Sequence, residues 1–226
     1  MSVILKDLKV FLSIPQNLIE ILKHPVSLFA LLAVIILILA AIKVKKIKFT
    51  TSMVVQIGVA LALATVLKIF RIYHFPQGGS VTLGSMVPIL VMAFFYGPEV
   101  GFLTGFLYGI ISLILGPYIL HPVQVLFDYP LPFMALGLAG YFRDRKILGT
   151  IVAVFARFIC HFISGVVFFG SFAPKGMSTY LYSLTINGPF MAVEGGICIV
   201  IMAFLPIEQL YSIFNKHKQG ISTPGV

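Results

Sequence analysis

Asp128 is a carboxylate in Tyr118–Phe142, a stretch otherwise apolar and long enough to cross a bilayer. Insertion scales put an acid at mid-membrane at a cost of about 2.5–3.5 kcal/mol, so such a residue usually faces a cavity, a partner or a bound molecule. Gln124 stands four positions earlier, on the same helix face, and Tyr129 follows directly. Tyr118 opens the stretch, while His161, Phe169, Tyr182 and Asn187 interrupt later apolar runs. A carboxylate, an imidazole, an amide, phenols and aromatic faces together suit a flat, nitrogen-rich heterocycle with positive charge. Its rings stack, its amine donates to the acid, and its cation gains from aromatic faces and a counter-ion. Bond-making chemistry fits less well, because no serine or cysteine stands beside a base in a nucleophile arrangement and no His/Glu spacing reads as a metal site.

Structural readings stand beside these. Asp128 is either a pocket acid or the partner of Arg157 in a buried ion pair, and its polar and aromatic neighbours favour the pocket. Arg157 and His161 are four apart on one helix, where the arginine stem can snorkel to the interface. His161 is a ligand or a hydrogen-bonded core histidine. Glu194, seven residues beyond Asn187 on the same face, is a second pocket acid, a partner for Arg157, or a protonated structural group. His121, beside Pro122, reads as a helix-start residue.

These side chains must be held by membrane spans. The chain is 59% hydrophobic and 10% charged, with a mean hydropathy of +1.06. A soluble domain of this size has too little polar surface to cover that apolar content, so this is an integral membrane protein. A bilayer core of about 30 Å takes about 17–25 apolar residues per helix. Val26–Ile42, Thr50–Phe70, Ser80–Tyr96, Pro98–Leu115, Tyr118–Phe142, Ile147–Phe169 and Tyr180–Leu205 are the candidate spans. Pro122, Pro130 and Pro132 predict a kinked or re-entrant fifth span. The expected fold is all-α: a six-helix body over 50–206, an N-terminal unit over 1–49 with one extra transmembrane helix, and a tail over 207–226. Val26–Ile42 starts late, lacks a small-x-small cleavage site and ends in lysines, so it reads as an uncleaved anchor rather than a signal peptide. Residues 1–25 read as a surface-lying amphipathic segment.

The net charge of +9 is concentrated in clusters at the ends of apolar runs, which points to topology rather than nucleic acid. Lys43, Lys45, Lys46, Lys48, Arg143, Arg145, Lys146, Lys216 and Lys218 fall in one set of loops, and Lys68, Arg71 and Lys175 in the other. The first set is expected in the cytoplasm, with the C terminus inside and the protein in the plasma membrane. The N terminus then lies outside, where Lys6, Lys9 and Lys23 fit the rule less well. Gly97, Gly101, Gly105 and Gly109 recur every four positions and make a bare helix face for close packing; Ala60 and Ala64 make a shorter pair of the same kind. Cys160 and Cys198 lie inside apolar runs without metal-ligand spacing, and no cofactor is expected. No phosphate-binding Gly-Lys-Ser/Thr loop is present, so any ATP use falls to another subunit.

Several blocks resemble the ThiT (YuaJ) family, the thiamine-binding S components of energy-coupling-factor (ECF) vitamin transporters. They are Gly84-Ser-Met-Val-Pro-Ile, Tyr96-Gly-Pro, Tyr118-Ile-Leu-His-Pro-Val-Gln-Val-Leu-Phe-Asp-Tyr, Leu136-Gly-Leu-Ala-Gly, His161-Phe-Ile-Ser-Gly, Ala173-Pro-Lys-Gly-Met and Tyr182-Ser-Leu-Thr-Ile-Asn-Gly, in order across about residues 51–206. The resemblance implies that Tyr118, Asp128, Tyr129, His161, Phe169, Tyr182 and Asn187 hold the aminopyrimidine and thiazolium rings of thiamine near the outer face. It also implies docking through Ala60 and Ala64 on the membrane subunit EcfT, with two ECF ATPases driving uptake. Three departures stand out. The chain has no tryptophan, so Phe169 replaces one stacking Trp, and a second family Trp falls near Gly79, where Tyr73, His74 or Phe75 can substitute. The pocket acid is Asp where the family usually has Glu. The N-terminal helix and tail are additions. Rival readings are an S component for another heterocycle, such as a pyrimidine precursor or thiamine analogue, an intramembrane enzyme using Asp128, His161 and Arg157, and a structural assembly subunit.

Overall fold

The structure is a computed structural model that describes residues 25–45, 47–74, 80–115 and 118–216. The surface-lying segment expected over 1–25 falls outside these but for Pro25, as does the tail after Lys216. The long apolar runs form helices. Helix α1 (Pro25–Val44) is the extra N-terminal one, and α2 (Thr51–Ile69) starts where the Thr50 hydroxyl accepts from the Met53 amide at 3.3 Å.

The expected span Ser80–Tyr96 is not one helix. Ser80–Thr82 forms β2, which pairs antiparallel with β1 (Arg71–His74) in a hairpin, Tyr73 opposite Val81 and His74 opposite Ser80. The chain then turns at Gly84, whose φ of +85° suits a residue without a Cβ. Only Val87–Tyr96 is helical (α3), about 15 Å long at 1.5 Å per residue, or half a bilayer core. It is buried on nearly every side, which explains why it is apolar all round. Its hydropathy reports its place at the centre of the bundle.

Helix α4 (Pro98–Ile114) follows at Gly97 and presents the glycine face expected from its spacing. An added Cβ on Gly105 would sit 2.0 Å from the Phe133 carbonyl oxygen, and one on Gly109 2.6 Å from the Pro130 Cα. Backbone therefore packs on backbone, with no room for even a methyl group. The segment pressed against this face is the fifth span, which is broken as its prolines predict. Helix α5 (Pro122–Asp128) begins at Pro122, where His121 Nδ1 accepts from the Val123 amide at 3.1 Å, the helix-start role read for that histidine. It ends at Tyr129, whose φ of −121° and ψ of −78° leave helical geometry before Pro130. Helix α6 (Pro130–Ala135) and a 3₁₀ run (Leu136–Phe142) complete the span.

Helix α7 (Lys146–Phe168) and helix α8 (Thr179–Phe204) are the long rods, joined by a short 3₁₀ turn at Gly170–Phe172. They meet at Gly165, where an added Cβ would lie 2.2 Å from Ser183 Oγ. Pro189 interrupts α8 and removes one internal hydrogen bond. Helix α9 (Ile207–Lys216) is short, with Tyr211 and Phe214 packed on Phe95. Among the described residues, Thr51–Ile69, Pro122–Phe142, Lys146–Phe168 and Thr179–Phe204 are long and apolar enough to cross a membrane. Large apolar side chains such as Val59, Phe155 and Phe204 face outward, as a lipid-facing belt requires.

The alanine pair of α2 serves the packing of the bundle itself. Ala60 and Ala64 are buried inside the bundle, and the Ala64 carbonyl accepts from the Tyr108 hydroxyl at 3.1 Å. The exposed small-x-x-x-small pair of α2 is Gly58 and Ala62, flanked by Val55, Val59 and Leu63. An added Cβ on Gly58 would meet nothing within 4 Å.

Candidate functional site

Helices α5 and α7 bring the two titratable groups together. His161 Nδ1 lies 3.5 Å from Asp128 Oδ1, with the side chains 12% and 18% exposed. The other carboxylate oxygen, Oδ2, accepts from Gln124 Nε2, one turn earlier on α5. Gln124 is itself fully committed: Oε1 accepts from the Leu120 amide and Nε2 also donates to the Tyr118 carbonyl, both at 3.0 Å. Its amide thus ties the loop before α5 to the carboxylate at the helix end. A seven-residue helix needs such outside bonds to stay in place.

Behind His161, Arg157 Nε donates to Nε2 of the imidazole at 3.4 Å. That direction leaves the ring proton on Nδ1, pointing at Asp128. The guanidinium stacks over the Phe133 ring at 4.2 Å, and its Nη1 is buried without a partner. No ion pair within 4.0 Å joins Arg157 to Asp128 or to Glu194. The direct Asp128–Arg157 pair considered from the sequence is replaced by a relay through His161. Phe190 of α8 closes on the imidazole edge-to-face at 5.8 Å, and this fixes the ring plane.

The aromatic part lies at the same end of the bundle. Tyr118 and Phe169 stack at 5.8 Å and 23°, and Phe172 stands beside Phe169 at 6.1 Å. Tyr129 turns its hydroxyl to accept from the Tyr118 amide at 2.7 Å, so it positions the Tyr118 backbone. Tyr182 is buried in the first turns of α8. Asn187 donates to the His161 carbonyl at 3.3 Å and to Ser183 Oγ at 3.2 Å, and Ser183 in turn donates to the Phe162 carbonyl at 2.8 Å. These bonds lock α8 to α7 at the height of the histidine.

Tyr118, Asp128, Tyr129, His161, Phe169 and Asn187, all proposed as ligand contacts, are thus linked in one contact network built from the start of the fifth span, α7 and α8. Glu194 does not join it. Its carboxylate accepts from the Thr82 amide at 2.5 Å and from Thr82 Oγ1 at 2.6 Å, which makes it the anchor of β2. Gly79 and Phe75 lie outside the described residues, as do the side chains of Tyr73 and His74. Phe190, Phe133 and Ser183 were not singled out from the sequence. Phe190 had a signal, since it lies three residues after Asn187 and shares its helix face. Among the described residues no group of three or more His, Cys, Asp or Glu could hold a metal.

With this geometry in hand, the chain can be set beside known proteins. The sequence model of the thiamine transporter protein family (Thia_YuaJ) matches residues 54–214. The thiamine transporter ThiT of Bacillus subtilis (strain 168) is 36% identical over 170 residues, covering 67% of this chain and 88% of that protein. The thiamine transporter ThiT of Lacticaseibacillus paracasei is 31% identical over 174 residues, covering 68% of this chain and 87% of the relative. The solved structure of ThiT from Listeria monocytogenes superposes with a TM-score of 0.63 over 72% of this chain and 96% of that one. At 23% identity it supports the fold alone.

Proposed function

This chain belongs to the thiamine transporter family Thia_YuaJ, and from that membership we propose that it captures thiamine and brings it across the membrane. The observation that carries this reading is the Asp128–His161 pair, two polar groups from different helices that meet beside a stacked Tyr118–Phe169 pair in an apolar bundle. Thiamine is a cation with an aminopyrimidine ring. The carboxylate accepts from the exocyclic amine and balances the thiazolium charge, while the planar rings extend the aromatic stack.

The sequence holds no phosphate-binding loop, so any ATP use falls to another subunit. We assign to this chain the role of an S component that docks on the transmembrane subunit EcfT and is driven by two ECF ATPases, with its C terminus in the cytoplasm. We place the docking face on Gly58 and Ala62, where a smooth exposed patch permits close helix approach. Residues 50–206 then form the substrate-binding unit and 207–226 the cytoplasmic tail.

Isothermal titration of the purified protein with thiamine tests the capture step, and absence of binding in a folded sample would end this reading. Gly58→Leu is expected to abolish uptake in cells while leaving thiamine binding intact; normal uptake would remove the docking face. The replacement of both family tryptophans supports one rival, an S component for a pyrimidine precursor or thiamine analogue. A competition titration in which the free pyrimidine outcompetes thiamine would favour it.

A further inference from the structure

We propose that helix α1 is a brace that holds the Asp128-bearing helix in its ligand-binding position. The helix lies outside residues 54–214, the part matched by the family. It is not a free anchor in the bilayer. Near one end, Phe29 meets Phe127 edge-to-face at 6.0 Å and 82°, and Phe127 directly precedes Asp128. Ala33, fully buried, and Leu37 continue the contact against Phe127, Leu131 and Val123, with Cys160 and Ile163 of α7 in the same cluster. At the other end, Lys43 Nζ donates to the Tyr141 hydroxyl at 2.5 Å and lies over that ring at 5.2 Å. These two stations are about 21 Å apart at 1.5 Å per residue. They grip the fifth span on both sides of its break at Tyr129.

The consequence falls on α5. This helix has seven residues, a loop before it and a break after it, so its internal bonds do not fix its position. Asp128 meets His161 of α7, while the preceding Phe127 is clustered with Phe29, Ala33 and Leu37 of α1 and with Cys160 and Ile163 of α7. Removing the α1 side lets α5 shift outward and lengthens an Asp128–His161 approach that already stands at 3.5 Å. Phe29 is therefore a positioning residue that acts on thiamine through Asp128.

The inference rests on thiamine binding at Asp128 and is tested by titrating the full-length protein with thiamine. Phe29→Ala is expected to weaken binding on the order of tenfold, mainly through faster release, from the lost edge contact and the slack it leaves. Ile35→Ala, on the exposed side of the same helix, is expected to bind as wild type. In an Asp128→Asn background, Phe29→Ala should add nothing, because the group it positions is already changed. Wild-type affinity in folded Phe29→Ala would overturn the proposal, as would an equal loss in the Asp128→Asn background. If Phe29→Ala yields no folded protein, Ala33→Leu carries the test by wedging the helices apart, and wild-type affinity there counts against the brace. Failure of the wild type to bind thiamine would instead remove the ligand reading itself.

Discussion

Replacing Asp128 by Asn keeps the shape of the side chain and removes its charge, which isolates the electrostatic part of the proposed pocket. Two unit charges about 4 Å apart interact by about 4 kcal/mol at an effective dielectric near 20. The Asp128 side chain is 18% exposed, so water screens part of this. A loss of about 3 kcal/mol, on the order of 100-fold in Kd, is the expected result for thiamine. Asn also introduces a mismatch, because its NH₂ meets either Gln124 Nε2 or the His161 Nδ1 proton, both donors. A second ligand separates the two effects: a neutral isostere of thiamine whose thiazolium nitrogen is replaced by carbon. Calorimetry on both proteins with both ligands gives a double cycle whose coupling term is the charge interaction alone. Equal weakening of both ligands would refute charge recognition by Asp128. Thiamine affinity within about threefold of wild type, in a variant with unchanged thermal unfolding, would refute the placement of Asp128 in the pocket.

Three further outcomes follow from the packing. Gly105→Ala pushes a methyl group into the Phe133 carbonyl, and overpacking of this kind costs about 1–3 kcal/mol or more, read as a lower melting temperature. Glu194→Ala leaves the Thr82 amide and hydroxyl without their acceptor, a loss of about 1–3 kcal/mol per orphaned group; chemical denaturation in detergent should show it, with Glu194→Gln retaining part of the stability. Ser212 is exposed on α9, so a cysteine placed there should react with a membrane-impermeant maleimide only in opened cells if the C-terminal side is cytoplasmic, and labelling of intact cells would reverse the topology.

What the amino-acid order determined was local. Hydropathy and length marked an all-helical membrane chain, the prolines marked the broken span, and His121 with Pro122 marked a helix start. Spacing by four paired Gln124 with Asp128 and Arg157 with His161, and the structure keeps both pairs in contact. What only the tertiary structure decided was which apolar surfaces meet protein and which meet lipid. In water the buried face of a helix is betrayed by its contrast with a polar face, but in a bilayer both environments are apolar and the contrast vanishes. For that reason the spacing of Ala60 and Ala64 did not tell that the bundle buries both while Gly58 and Ala62 of the same helix stay exposed. For the same reason the central helix Val87–Tyr96 read as part of a span. The role of Glu194 was beyond reach for a different cause: its partner Thr82 lies 112 residues away in sequence, and no local pattern specifies a bond across that distance.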